Sequence, residues 1–254
     1  MTRILAATLV LTFVLVLPAS ARGQTRPDHS LLAYQAPDQR FTLSVGAWFG
    51  RGKWRFVGPV DVKADNTLLM LDARLRLRDR WWLAFDYAGG AWRNITFNDA
   101  PAPASVSGNV TISSVDVRYR VGPGPLMVDL LAGWQYYRAR TEDSALATSD
   151  EARAGGPRLG AEAHIPLRGP WSARLFLAHA FAMNVTENFV SGGTTTTTTY
   201  GGTLTDAQFA IRYERSARLA GEAGWRFQRI DFRRPTDVLE HTLDGPFLHL
   251  IWRQ

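Results

Sequence analysis

The chain has no cysteine among its 254 residues. That absence excludes disulfides, thiolate catalysis and Cys-ligated metal centres. Beyond the first residues, no stretch stays apolar for the ~20 residues a membrane-spanning helix requires, so a helical membrane protein is excluded. Helical periodicity is scarce too. Lysine is rare: the 29 basic residues, set against 23 Asp+Glu, are nearly all arginine. These arginines alternate with apolar residues instead of forming a run, which argues against nucleic acid as a partner.

Arg3 precedes an almost unbroken apolar run from Ile4 to Leu17, followed by Pro18-Ala19-Ser20-Ala21. The pattern predicts a signal peptide over 1–21, cleaved after Ala21. No cysteine follows, so a lipoprotein anchor is excluded. Residues 22–39 are expected to form a periplasmic N-terminal segment and 40–254 a single domain. An exported chain without disulfides must rely on a large hydrogen-bonded framework.

That framework shows as a period of two. In "TLLMLDARLRLRDRWWLAFDYAGG" (67–90), Leu69, Leu71, Ala73, Leu75 and Leu77 share one phase. Met70, Asp72, Arg74, Arg76 and Arg78 share the other. The alternation predicts about ten strands: 40–51, 66–78, 81–92, 108–121, 126–140, 157–166, 171–183, 203–215, 218–230 and 243–253. Eight remain possible if an end segment is split wrongly. Connections alternate between tight turns ("RDR", "GPGP", "LRGP", "SA") and long segments such as "GKWRFVGPVDVKADN" and "NVTENFVSGGTTTTTTYGG". The expected fold is all-β: an up-and-down antiparallel transmembrane barrel with short periplasmic turns and long extracellular loops. The run Thr194–Thr199 either extends the wall or lies outside regular structure.

A soluble barrel would hide the apolar phase, and alternation alone permits that. The positions of the aromatics argue otherwise. Phe41, Trp81, Tyr119, Trp171 and Trp252 lie near the tight-turn end; Phe49, Tyr87, Tyr136, Phe181 and Phe227 lie near the loop end. With ~3.4 Å per residue and ~40° tilt, Phe41 to Phe49 projects to about 20 Å and Trp171 to Phe181 to about 25 Å. Two girdles at that spacing suit a lipid-facing surface. The opposite phase carries both signs of charge and is expected to form a lumen network of Asp72, Arg74, Arg76, Asp86, Asp116, Arg118, Asp129, Glu162, Arg174, Arg212, Glu222 and Arg226. Arg74 and Asp86, counted outward from the turn, are expected to pair across their hairpin. Met70, Trp82, Trp92, Tyr137 and Phe176 would fill a narrow, polar interior.

On these strands the chain resembles the small single-chain outer-membrane β-barrels of Gram-negative bacteria. Its end, "FLHLIWRQ", places Leu248, Leu250 and Trp252 on one phase and looks like the final-strand signal of that class, although Arg253 and Gln254 follow the aromatic. The resemblance implies a monomer in contact with outer-membrane lipid and lipopolysaccharide, and with the assembly machinery during biogenesis. Omptin proteases resemble this architecture and use Asp and His near the loops. Asp99, Asp231 and His241 are the candidates here, without a matching motif. Lipid A deacylases resemble it too, with a lipid-facing His followed two residues later by Ser; His179 is followed by Phe181. His164 and His249 fall on the interior phase, and no His-x-His or paired-carboxylate metal set occurs. No cofactor, catalytic residue or metal ligand is therefore assigned. The expected role is non-enzymatic, structural or surface-interacting, with a narrow solute channel and an outer-leaflet enzyme as alternatives.

Overall fold

The computed structural model describes residues 40–55, 61–121, 126–233 and 238–254. The expected signal peptide, the 22–39 segment, residues 56–60, the expected "GPGP" turn at 122–125 and residues 234–237 lie outside the described residues. The elements are β1 (Phe41–Arg55), β2 (Asp61–Arg78), β3 (Trp81–Phe97), β4 (Ala100–Pro101), β5 (Val106–Val121), β6 (Met127–Asp143), β7 (Thr148–Pro166), β8 (Trp171–Ser191), β9 (Thr194–Glu214), β10 (Leu219–Arg233) and β11 (Val238–Arg253). β4 is a two-residue strand that pairs only with β3. The other ten form one antiparallel meander, and β1 pairs with both β2 and β11, which closes the sheet. Closure gives every wall strand two neighbours, as backbone groups in hydrocarbon require. Both described ends meet at the tight-turn end, where Arg40 N donates to Gln254 O at 2.8 Å.

The segments expected as long loops are mostly strand. The wall strands run from 15 to 21 residues, whereas ~9–11 suffice to span a bilayer. β8, at ~3.3 Å per residue and ~40° tilt, projects to about 50 Å, twice the apolar band of an outer membrane. Thr194–Thr199 is part of β9, fully in register with Thr186–Ser191 of β8. Gly192 and Gly193 close that hairpin with φ of +57° and +78°. Two consecutive left-handed residues match the twist of the flanking strands, and glycine adopts them at little cost.

The two faces divide as the alternation requires. Leu69, Leu75, Leu77, Val115, Val117, Leu130, Leu248 and Leu250 point outward and stay exposed, while Asp116, Arg118, Glu162 and Arg226 are buried inside. An outward apolar belt with inward charge suits a barrel whose solvent is lipid. Bulges adjust the pattern. β8 carries an extra residue between Ala180 and Met183, with Ala182 at φ +50°, and the inward phase switches there from Ala180 to Met183 and Val185. A bulge at Arg76/Arg78 shifts the first hairpin, so Asp72 lies opposite Asp86 and Arg74 opposite Ala84.

Candidate functional site

The lumen has two layers. The first, toward the tight turns, is ionic. Glu162 on β7 accepts Arg74 Nη1 at 2.7 Å and Arg118 Nη1 at 2.8 Å, and shares a 2.5 Å hydrogen bond with His164 Nε2. Glu222 on β10 holds Arg174 Nη2 and Arg212 Nη2, each at 2.7 Å. Asp116 binds Arg158 through both carboxylate oxygens, and Arg120 grips Asp129 at 2.8 and 3.0 Å. Arg226 joins Asp206 at 2.6 Å to Asp86 at 3.0 Å. Arg253 closes on Glu214 at 2.5 and 2.8 Å, and Arg74 Nε also donates to Asp72 at 3.0 Å. Arg–carboxylate forks of this kind combine charge with fixed geometry. The groups enclose a small cavity of about 50 Å³.

The expected network residues come together here, with two exceptions. Arg76 stays at the β2–β3 turn, donating to the Asp79 carbonyl at 3.2 Å. The expected Arg74–Asp86 hairpin pair is not formed: the bulge at the turn displaces the register, and each finds its partner across the lumen, in Glu162 and Arg226. Arg120, Arg158, Asp206, Glu214, His164, His249 and Arg253 join the network besides the residues expected there. All lie on the inward phase, which was the available signal. Arg253, which looked like a departure from a terminal signal, is 2 % exposed and turned inward.

The second layer, toward the extracellular end, is apolar and aromatic; it holds the expected fillers Met70, Trp92 and Tyr137 and is more extensive than the expected polar lumen allowed. Trp48, Leu68, Met70, Ile112, Met183, Leu204, Phe232 and Phe247 are each essentially fully buried there. Trp54 stacks on His241 at 4.3 Å and lies 4.0 Å from Trp92. Tyr137 Oη shares a 2.7 Å hydrogen bond with His241 Nδ1. Inward glycines make room: at Gly108 a Cβ would strike the Trp92 ring.

The enzyme candidates are scattered. His241 is buried among aromatics. Asp231 faces outward beside Arg229, at 3.1 Å, and Asp99 is exposed and paired with Lys63. His179 faces outward, its Nδ1 3.0 Å from Thr205 Oγ1. Asp129, Glu162 and His164 bring three possible metal-ligand atoms within 4.8 Å of one another. Arg120, Arg74 and Arg118 already occupy those carboxylates, however, and their charge opposes a cation.

On the exterior, three aromatic pairs ring the tight-turn end: Phe41–Trp252 at 6.2 Å, Trp81–Tyr119 at 4.8 Å and Trp171–Tyr213 at 4.9 Å. Phe49, Tyr136, Phe181 and Phe227 are exposed on the outer surface toward the other end, and Tyr87 is half-buried.

A closed ten-strand wall with apolar residues outside and ion pairs inside is the fold of a bacterial outer-membrane β-barrel, and the outer membrane is where such a surface belongs. A solved structure agrees in fold. Outer membrane protease OmpT from Escherichia coli is similar with a TM-score of 0.67 at 9 % identity, over 86 % of this chain and 97 % of that one. The translocator domain of autotransporter NalP from Neisseria meningitidis has a TM-score of 0.49 at 12 % identity, over 89 % and 93 %. At such identities the likeness is one of fold. No protein-family model matches the chain, and no curated protein matches its sequence.

Proposed function

We propose that the chain is a non-enzymatic outer-membrane barrel whose work is structural and at the cell surface. The observation that carries this reading is the filled lumen. An aromatic layer lies over an ion-paired layer, and the cavity between the charges holds only about 50 Å³. A conduit needs a continuous wetted path, and among the described residues the buried aromatic layer interrupts it. The wall instead extends well past the outer aromatics, carrying hairpins such as β8–β9 out to where other molecules meet the cell. The scattered positions of Asp99, Asp231 and His241 support the same reading.

The test is conductance of the purified, refolded chain in planar bilayers. No stable single-channel steps are expected, for the native chain or for Trp54→Ala, since the ionic layer remains below it. Large steady openings from the native chain would overturn the proposal in favour of a channel.

A further inference from the structure

The lipid-facing wall is not uniformly convex. Near the tight-turn end, between β8 and β11, lies an external groove of about 310 Å³. Its sides are the tilted Trp171–Tyr213 pair and Leu248, and its floor is Gly221 and Ala223 of β10. The wall is thin there. Glu222 and His249, which face the internal cavity, also line the groove, and His249 Nε2 has no hydrogen-bond partner.

Directly below are two adjoining turns. They are joined by a 2.8 Å hydrogen bond from Glu214 N to Pro170 O. One turn carries Arg168; the other carries Arg215 and Arg218, ordered by Ser216 Oγ, which accepts from Arg218 N and Leu219 N. All three arginines are exposed, and none makes an ion pair among the described residues. Inside the barrel the arginines are matched to carboxylates; here, as with Arg78 and Arg80 at the β2–β3 turn, they stand without an ion pair among the described residues, and only here do they lie beneath an apolar slot.

We propose that this groove is a binding site for one anionic phospholipid of the periplasmic leaflet. An acyl chain would lie over Gly221 and Ala223 against Trp171 and Tyr213. The phosphate would sit among Arg168, Arg215 and Arg218. Charge complementarity selects this occupant. A second copy of the chain would bring the same unmatched arginines against each other, and a neutral lipid would leave them unanswered.

The experiment is native mass spectrometry of the full folded barrel released from detergent, titrated with phosphatidylglycerol and, separately, with phosphatidylcholine. One phosphatidylglycerol adduct is expected, formed in preference to phosphatidylcholine. Replacing Arg215 and Arg218 by Gln should weaken the anionic lipid by about fivefold per arginine, the ~1 kcal/mol that a surface cation contributes toward anionic lipid. Gly221→Leu should abolish the adduct by filling the slot. A Cβ at Gly221 meets nothing within 4 Å, so this variant should keep the native β-sheet circular dichroism. The proposal is overturned if folded Gly221→Leu retains the lipid as the native chain does, if the two lipids bind alike, or if the native chain appears as a dimer that excludes lipid.

Discussion

Arg226 is the side chain most dependent on distant partners. It is fully buried, it lies 5.0 Å from the Trp48 ring centroid, and its carboxylates come from β9 and from β3, the latter 140 residues away. Arg226→Met leaves Asp206 buried without its cation, and should cost ~3–5 kcal/mol. Urea unfolding in detergent micelles measures this directly. The same assay resolves the pairing. Asp86→Ala and Arg226→Met should be strongly non-additive, because they share a contact, whereas Asp86→Ala and Arg74→Leu should add within ~0.5 kcal/mol. Coupling between Arg74 and Asp86 would restore the hairpin pairing that the register denies. On the outside, beyond the membrane band, Glu151 is bridged by Arg153 and Arg138, each Nε at 2.6 Å. The hydrogen bond from Arg153 first, and then Arg138, hold its carboxyl below the usual value against the opposing effect of burial. Because the folded value is the lower one, the stabilisation is complete above the unfolded value of ~4.3 and disappears as pH falls through the folded one. Glu151→Gln should therefore cost ~0.2–1 kcal/mol at neutral pH, with the difference from the native chain vanishing in acid.

At the scale of strands, depth governs tolerance. Val45 lies midway between Phe41 and Phe49 on the outer face of β1, opposite Leu71 and Leu250. Leu75 lies opposite Phe41, at the aromatic edge. Val45→Arg should cost ~2–4 kcal/mol and Leu75→Arg ~0–1, because the penalty of a cation falls from the bilayer midplane to the interface. Refolding into liposomes at graded urea tests the contrast, and equal costs would misplace the membrane. Which residues share a face was legible in the sequence, since a period of two divides Leu75 from Arg74 without reference to any partner, and the aromatics near the strand ends assigned the apolar face to lipid. The order of turns was legible for the same reason, as "RDR" and "SA" are too short for anything but a hairpin. Three features were hidden. The bulge at Ala180–Met183 inverts the phase within one strand, and only pairing with β9 reveals it. The partners of Arg74 and Asp86 come from strands far away in sequence, which local spacing does not encode. The upper wall looked like loop because Gly, Thr and charged residues interrupt its apolar pattern, yet continuous registers such as Thr148 with Asp143 hold it as sheet.

For the molecule as a whole, eight of the nine tryptophans report the inside and outside; Trp82, half-buried beside the ionic cavity, is the ninth. Trp81, Trp134, Trp171, Trp225 and Trp252 are 43–56 % exposed on the lipid face, while Trp48, Trp54 and Trp92 are at most 8 % exposed within the aromatic layer. Brominated lipid should quench the first group and leave the second bright. Replacing Trp54 and Trp92 by Phe should remove emission that bromine does not reach. Quenching of the whole emission would contradict the inside-out arrangement.

The long-range ion pairs also constrain the order of assembly. Arg74 meets Glu162 across 88 residues and Arg226 meets Asp86 across 140. The β5–β6 hairpin holds Arg120 to Asp129 and the β9–β10 hairpin holds Arg212 to Glu222 within themselves, but Glu162 of β7 and Asp86 of β3 reach their arginines only when distant strands are in place. A strand entering hydrocarbon early would carry bare guanidinium and carboxylate groups, at a cost of several kcal/mol each. For these strands, insertion and electrical neutralisation are therefore expected to be one event: Glu162 and Asp86 remain wet until β2, β3, β7 and β10 face one another.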